Sequence, residues 1–409
     1  ACGDDGTKPA AAHEAVMDRH IEKPDSARRP PRVSIEFSTF LNPTRSAGFT
    51  ELWEPVFDSA GNIYVAGLGD YADPRAANNP YAGVPATVFD ADSSLDGSSM
   101  MVAKLTPNGV PIWNAFLDGT GHEKEIDGLA VDSAANIIIS GTTPNGDFPT
   151  TPGAFDTTIN DGGMVNRNGD AFVAKISADG TRLIFSTFLG GINGDSTSRG
   201  GIAVASDDSI YVVGHTKAND FLHNPSSGIR VPVRAAYHGG IGDGFVLRLA
   251  ADGSKVHWVT YIGSASETEY GDVVTSVAIG PKNKPHITAM VRGNDVTTTA
   301  GTSSQAYGGG VADAYAARLD HDGNLEWATY LGGSGEDGPE HGLRIDASGN
   351  MVFAGQTRSS DWPVVNAHQS RYGGGGDGYL VKLDSSGQLV FSTLIGSAGE
   401  ETAIGVGID

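Results

Sequence analysis

Cysteine is nearly absent from this sequence: among 409 residues the only one is Cys2. A single thiol can form neither an internal disulfide framework nor a cysteine-based metal site, so the sequence excludes both. The sequence also contains no apolar run approaching the roughly 18 to 20 residues that a membrane-spanning helix needs. Stability therefore has to come from an ordinary buried hydrophobic core.

Positive charge is scarce as well. The chain has 27 lysines and arginines against 49 aspartates and glutamates, which gives a formal net charge of -22 at pH 7. Nucleic-acid affinity depends on basic side chains that neutralise phosphates, so a nucleic-acid partner is not expected. The acidic excess is compatible with cation binding, but plain solubility explains it equally simply.

Sequence motifs of common enzymes are missing too. The chain contains no Gly-x-Ser-x-Gly elbow, no His-Glu-x-x-His, no P-loop, and no dinucleotide fingerprint between a strand and a helix. This pattern favours a non-catalytic protein and leaves an enzyme with an unfamiliar site open.

What the sequence does contain is a recurring hairpin. The stretch DAFVAKISADGTRLIFSTFLGG, Asp170 to Gly191, places two alternating runs of β-branched and aromatic residues around an Asp-Gly turn. Further copies begin at Met100, Asp243, Asp313 and Asp377. A second hairpin, such as GIAVASDDSIYVVG from Gly201, lies between successive copies. Each repeat is therefore predicted to have four short antiparallel strands.

These repeats predict an all-β fold, a β-propeller of four-stranded antiparallel blades with strands A (innermost) to D (outermost). A string of β-sandwiches is the alternative, but it would need larger units. Val33–Leu41 resembles a D strand and Ala403–Asp409 an A strand. We therefore predict five complete blades plus a sixth split between the chain ends, in a domain spanning residues 33–409. The missing strands suggest a natural chain of six or seven blades that continues beyond Asp409; an open ring is the alternative.

Several segments carry a family resemblance. They are YLGGSGED from Tyr330, IDASGNMVFAGQT from Ile345, STFLGG from Ser186, GDFPTTPGAF from Gly146 and GDAFVAKI from Gly169. They resemble the SBBP (seven-bladed β-propeller) repeat of bacterial surface and secreted proteins, and the strand order resembles that of NHL-type propellers. The resemblance implies a propeller scaffold and no particular activity.

The N-terminus resembles that of a bacterial lipoprotein. The start Ala-Cys-Gly would place a lipid on Cys2, and residues 1–32 form a polar, proline-containing stretch suited to a flexible tether. The protein would then be extracytoplasmic, on the outer membrane or cell surface, and would contact the membrane only through this lipid. An incidental cysteine in a disordered leader is the alternative.

Strand alternation places the D–A and B–C loops on one face of the propeller. Acidic residues recur near the start of the inner strands, and carboxylates are the ligands that Ca²⁺ prefers. The predicted metal ligands are Glu125, Asp127, Asp195, Glu269, Asp272, Asp337, Glu340 and Glu401. A solvated acidic rim or local capping of the strands is the alternative.

Two further groups of loop residues are notable. Asp170, Asp243, Asp313 and Asp377 precede the C strands, where a carboxylate can bind backbone amides and fix the loop. Aromatic residues in the long B–C loops could bind a protein or a glycan at the cell surface, or could form small loop cores. They are Tyr71, Tyr81, Phe89, Tyr237, Tyr307 and Tyr372.

Three functions are compatible with these features. The first is a non-catalytic binding or assembly scaffold at the cell surface, acting through the B–C and D–A loops. The second is a metal-dependent hydrolase or lyase with a divalent cation at the channel mouth. The third is a structural subunit of an extracellular assembly.

Overall fold

The computed structural model describes residues 48–52, 55–70, 83–89, 99–117, 119, 125–160, 169–222, 231–266 and 270–408. The chain divides into residues 1–39 and 40–409, and every described residue belongs to the second part. The predicted tether and the predicted strand Val33–Leu41 therefore lie outside the described residues. No helix in the described part is long and apolar enough to cross a membrane.

Within these residues, the strands form five sheets. The first sheet contains β1 (Gly48–Leu52), β2 (Val56–Phe57), β3 (Ile63–Asp70), β4 (Ala86–Phe89), β5 (Ser99–Leu105) and β6 (Pro111–Leu117). The second contains β7 (Glu125–Val131), β8 (Ile137–Thr143), β9 (Asp170–Ile176) and β10 (Leu183–Leu189). The third contains β11 (Asp195–Val204), β12 (Ile210–Thr216), β13 (Asp243–Leu249) and β14 (Val256–Ile262). The fourth contains β15 (Val273–Gly280), β16 (Lys284–Val291), β17 (Asp313–Leu319) and β18 (Leu325–Leu331), with a short 3-10 turn at Pro281–Asn283. The fifth contains β19 (Asp337–Ile345), β20 (Met351–Thr357), β21 (Asp377–Leu383) and β22 (Leu389–Ile395).

The second to fifth sheets confirm the predicted blades. Their four strands pair antiparallel in chain order, from A to D. The first sheet differs, because β1 and β2 both pair with β3 in place of a single A strand. Its B–C loop also contributes β4, which pairs in parallel with β6 at the outer edge. The fold is a β-propeller.

The hydrophobic core lies between consecutive blades. One cluster joins Phe185 and Leu189 of the second blade to Val212 and Phe245 of the third. Equivalent clusters join the other consecutive pairs of blades. A four-stranded sheet cannot bury both faces alone, so each blade is stabilised by its neighbours.

The turn between strands C and D contributes to this packing. Gly323 has φ +84°, and a Cβ there would lie 2.5 Å from the ring of Trp258 in the preceding blade. The Trp258 indole donates a hydrogen bond of 2.9 Å to the His321 carbonyl in the same turn. The ring contact recurs at Gly180 with Trp113, Gly253 with Phe185 and Gly387 with Trp327, and the Trp113 indole also donates a hydrogen bond, to the Ala178 carbonyl. The Asp-Gly turns therefore serve blade docking as well as local geometry.

The long B–C loops run along the outer edge of the propeller. In the fifth blade, Val365 and Ser392 exchange backbone hydrogen bonds of 3.0 and 2.8 Å between the loop and the D strand. In the second blade, the Phe155 amide reaches the Gly253 carbonyl in the next blade's C–D turn, at 2.8 Å. A D strand would otherwise present unpaired backbone groups, and these loops supply partners for them. The described B–C loops are therefore, in large part, covers for the outer strands.

The predicted inner strand at Ala403–Asp409 is not formed. Residues 403–408 contain no strand; the segment is held by backbone hydrogen bonds from Glu401 to Gly376 (2.8 Å) and from Ala403 to Gly355 (3.3 Å). A strand needs a hydrogen-bonded partner strand to complete its ladder, and no described strand pairs with residues 404–408.

Candidate functional site

A cavity of about 730 Å³ lies where the inner strands of the blades converge. Its walls come from the inner strand of every blade and from Ile404 and Gly405 in the C-terminal segment. The polar and charged side chains in these walls are Asp127, Arg199, Ser276, His341 and Arg344.

Irregularities in the inner strands determine which side chains reach this cavity. The antiparallel register of β7, β11, β15 and β19 shifts once in each strand. Asp127 lies in the shift of β7, Arg199 in that of β11 and His341 in that of β19. A bulge leaves its extra residues without a cross-strand partner and redirects their side chains. These three side chains therefore line the cavity at related positions of three blades.

Asp127 is the acidic member of the site. It is only 5% exposed, and the Thr197 hydroxyl donates a 2.8 Å hydrogen bond to its carboxylate. Burial raises the pKa of Asp127 to about 7, and the charge of Glu125 adds to this effect. The Thr197 hydrogen bond and the nearby positive charge of Arg199 oppose the rise in pKa.

His341 lies close to the bulge of β11. Gly200, with φ +74°, comes so near that a Cβ on it would lie 3.0 Å from the His341 carbonyl oxygen. The His341 Nε2 atom is 3.4 Å from the Glu340 carboxylate. Its Nδ1 atom is buried and has no hydrogen-bond partner among the described residues.

Ser276 also has a buried polar atom without a described hydrogen-bond partner. Its side chain is 1% exposed, and the hydroxyl has no hydrogen-bond partner in the part of the chain that the structure describes. Buried polar atoms normally have a partner from protein, water or ligand, because an unpaired one costs free energy. Ser276 and His341 thus offer two unused polar atoms in the cavity wall.

Arg344 distinguishes the fifth blade from the others. Its position in β19 corresponds to Ala130, Ala203 and Ala278 in the inner strands of the three preceding blades. Arg344 is half-buried, and its guanidinium donates a 2.9 Å hydrogen bond to the Leu343 carbonyl. The scaffold accepts alanine here three times, so the fold does not require arginine.

Four of the eight predicted metal ligands are used to hold the D–A loops. Asp337 accepts hydrogen bonds from the Gly333 amide (2.6 Å) and the Ser359 hydroxyl (2.7 Å), and Glu401 accepts one from the Ser397 amide (2.8 Å). Asp195 and Asp272 bind amides of their own loops in the same way.

The structure does not bring the predicted ligands together as one cluster. Glu125 is exposed at the start of β7, Glu340 lies beside His341, and Glu269 lies outside the described residues. The described residues contain no group of three histidine, cysteine, aspartate or glutamate side chains that could hold a metal ion. Burial raises the pKa of Asp272 and Asp337, and the amides that they accept from oppose this shift.

The acids before the C strands confirm their predicted fastening role. Asp313 accepts a 2.5 Å hydrogen bond from the Gly308 amide and lies beneath Gly332, where a Cβ would be 2.3 Å from the carboxylate. Asp170, Asp243 and Asp377 lie beneath Gly190, Gly263 and Gly396 in the same way. This contact explains the glycine that follows the D strands of the second to fifth blades.

The aromatic residues predicted to bind a partner pack against the outer strands where they are described. Tyr237 contacts Tyr261 edge-on at 5.7 Å, and Tyr307 contacts Tyr330 at 5.8 Å. Phe89 and Tyr372 are partly buried against hydrophobic clusters. Tyr71, Tyr81 and the predicted lipidation site Cys2 lie outside the described residues. The described aromatics thus form loop cores, the alternative that the sequence left open.

Sequence reasoning missed Arg199, Ser276 and Arg344 as cavity residues. One signal was available for Arg344, namely an arginine where the three preceding copies of the repeat have alanine. Arg199 and Ser276 had no such signal, because their exposure to the cavity depends on bulges and on neighbouring blades.

Comparison with known proteins adds little about activity. No protein-family model and no curated protein matches the sequence. Among solved structures, an ulvan lyase, a polysaccharide lyase, has 9% sequence identity and a TM-score of 0.40, covering 84% of this chain and 70% of that one. A protein of unknown function from Dyadobacter fermentans has 14% identity and a TM-score of 0.37, covering 83% of this chain and 79% of that one. Quinohemoprotein alcohol dehydrogenase from Comamonas testosteroni has 11% identity and a TM-score of 0.37, covering 90% of this chain and 67% of that one. Identities and TM-scores this low carry no information on function.

Proposed function

We propose that this chain is a non-catalytic, ligand-binding β-propeller of the bacterial cell surface, and that the central cavity is its binding site. The observation that carries the proposal is the cavity of about 730 Å³, into which charged and polar side chains from four blades converge. Ligand sites are typically concave, of about 300 to 1,000 Å³, with a few convergent polar groups in a mostly apolar wall.

The site differs from the one that the sequence favoured. The described B–C loops have their aromatic rings packed against D strands, so they offer few free groups to a partner. The cavity, in contrast, has buried polar atoms at Ser276 and His341 without partners among the described residues. We therefore propose that the partner binds in the central cavity and not on the B–C and D–A loops.

The proposed partner is the end of a glycan or a protein segment small enough to enter the cavity. Attachment through a lipid on Cys2, and a location on the outer membrane or cell surface, belong to the same proposal. A net charge of -22 disfavours nucleic acid as a partner.

A pair of glycine substitutions tests the site. Gly405 lines the cavity, and neither Gly405 nor Gly407 has a described atom within 4 Å of an added Cβ. Gly405→Phe should fill the cavity, while Gly407→Phe adds the same ring to the same segment outside its lining.

The proteins would be applied to an array of mono- to trisaccharides, with calorimetry on each hit. At least one saccharide should bind the unmodified chain and Gly407→Phe but not Gly405→Phe. A ligand that binds Gly405→Phe with unchanged affinity would refute the cavity as its binding site, and an array without any hit would refute a glycan as the partner.

One observation favours an enzyme as the second candidate. The Glu340 carboxylate lies 3.4 Å from the Nε2 atom of His341, a residue that lines the cavity, and such a pair could act as acid and base in a hydrolase or lyase. This function predicts turnover of a cavity ligand that Glu340→Ala abolishes, and stoichiometric metal by elemental analysis if a divalent cation takes part. Binding without turnover, on prolonged incubation with each array hit, would favour the first candidate.

A further inference from the structure

The charge of the cavity wall is opposite to that of the chain. The protein as a whole has a net charge of -22, yet the lining contains Arg199 and Arg344 against one acidic residue, Asp127. His341 adds a third nitrogen-bearing side chain. A positive site inside an acidic protein attracts and retains anions more than neutral ligands.

Arg344 contributes to this positive charge although the fold does not require an arginine at its position. The three preceding blades have alanine at its position, and removing a guanidinium from water costs free energy that alanine avoids. Arginine presents a planar fork of donors that matches the two oxygens of a carboxylate or phosphate. Its place in the cavity wall therefore points to recognition of an oxyanion.

The other polar side chains of the cavity wall indicate which kind of oxyanion would bind. Ser276 and His341 each have one buried polar atom without a partner among the described residues, and a rotation of either side chain toward the cavity would offer that atom to a ligand hydroxyl next to the anion. The Asp127 carboxyl in the same wall is a further hydrogen-bonding group for alcohol hydroxyls, which a hydroxy acid presents beside its carboxylate and inorganic phosphate does not.

We propose that the cavity binds a carboxylate with adjacent hydroxyl groups, with Arg344 and Arg199 facing the carboxylate and Ser276 and His341 facing the hydroxyls. This inference rests on the proposed function and names the chemical class of its ligand. The carboxylate could belong to a uronic acid of a glycan or to a free hydroxy acid.

Calorimetric titration with defined probes tests this. D-glucuronate represents the uronic acid, gluconate the open-chain hydroxy acid and D-glucose the neutral match, with inorganic phosphate as competitor. Glucuronate or gluconate should bind at least 10-fold more tightly than glucose, and the tighter of the two identifies the source. Phosphate should compete weakly.

Variants locate the recognition. Arg344→Ala, which restores the residue of the other blades, should weaken carboxylate binding about 10-fold or more and leave any glucose binding unchanged. Arg358→Ala is the matched control, because it also removes one positive charge but from an exposed ion pair with Glu400. That control should leave the affinity within about 2-fold, since exposed pairs contribute little.

The outcomes separate this inference from the proposed function. If a carboxylate-bearing ligand is lost in Gly405→Phe but binds Arg344→Ala normally, the cavity is a binding site and the carboxylate inference is wrong. Equal affinity for glucuronate and glucose, or stronger binding of phosphate than of either acid, also overturns the inference. If no ligand loses its binding in Gly405→Phe, the proposed function is refuted, and the carboxylate inference that rests on it is refuted as well.

Discussion

The outer B–C loop and the inner bulge of the fifth blade belong to the same sheet, but they differ in how their buried polar side chains are hydrogen-bonded. In the loop, Trp362 stacks on Tyr379 at 4.1 Å and its indole donates a 2.9 Å hydrogen bond to Ser392. In the bulge, His341 leaves a buried nitrogen without a partner among the described residues. A satisfied polar group such as the Trp362 indole stabilises the structure, whereas an unsatisfied buried group on a residue that lines the cavity is a candidate for ligand contact. Irregular backbone is therefore not by itself a sign of function in this propeller.

The largest effect is expected in the outer loop. Trp362→Ala removes a ring that is 4% exposed and should destabilise the protein by about 3 to 5 kcal/mol. Urea denaturation measures the change, with Phe57→Ala as control, because Phe57 is 61% exposed. Equal stability of the two variants would show that the loop is not a structural cover.

The next prediction concerns the turn that docks blades. Gly323 and Gly301 have nearly equal φ, +84° and +83°. An alanine Cβ would meet a ring only at position 323, where Trp258 lies against the turn. Gly301→Ala should cost about 1 kcal/mol from backbone strain alone, and Gly323→Ala about 1 to 3 kcal/mol more from the clash. The difference between their unfolding free energies isolates the contact between blades, and a difference near zero would remove the proposed docking role.

A smaller effect should appear in the pH dependence of stability. Burial raises the pKa of Asp313 to about 7, with the neighbouring Asp337 and Asp361 charges adding to it and the Gly308 amide opposing it. The folded pKa lies above the unfolded value of about 3.8, so its stabilising contribution is complete below pH 4 and is lost as pH rises to 7. We expect Asp313→Asn to flatten the fall in unfolding free energy between pH 4 and 7 by about 1 kcal/mol per pH unit. Denaturation at five pH values measures it, and an unchanged slope would contradict this assignment.

The smallest change in stability belongs to the inner bulges. Ser276→Ala should alter the unfolding free energy by no more than about 0.5 kcal/mol, because the hydroxyl makes no hydrogen bond within the described structure. The same variant should weaken binding of the cavity ligand about 3-fold. Paired denaturation and calorimetry compare the two results; a large loss of stability with unchanged binding would place Ser276 among the structural residues.

Individual residues show where prediction from the sequence succeeded. Asp313 was predicted to bind backbone amides because an acid stands at the same place before several C strands, and the structure confirms this. Asp337 and Glu401 look like metal ligands in the sequence, but their partners are amides only a few residues away. Loop conformation determines whether a carboxylate faces its own backbone or a shared ion. The alternation of residue types in the sequence does not predict that conformation.

The sequence by itself determined the blades: alternating apolar residues and Asp-Gly turns act within about twenty residues, so they specify strands, hairpins and their order locally. Only the tertiary structure decided what faces the axis. Arg199 and Arg344 are far apart in the chain and meet in one cavity because bulged inner strands of different blades converge there. The path of the B–C loops was likewise decided by the D strands that they cover, since packing between distant segments has no local signature in the sequence.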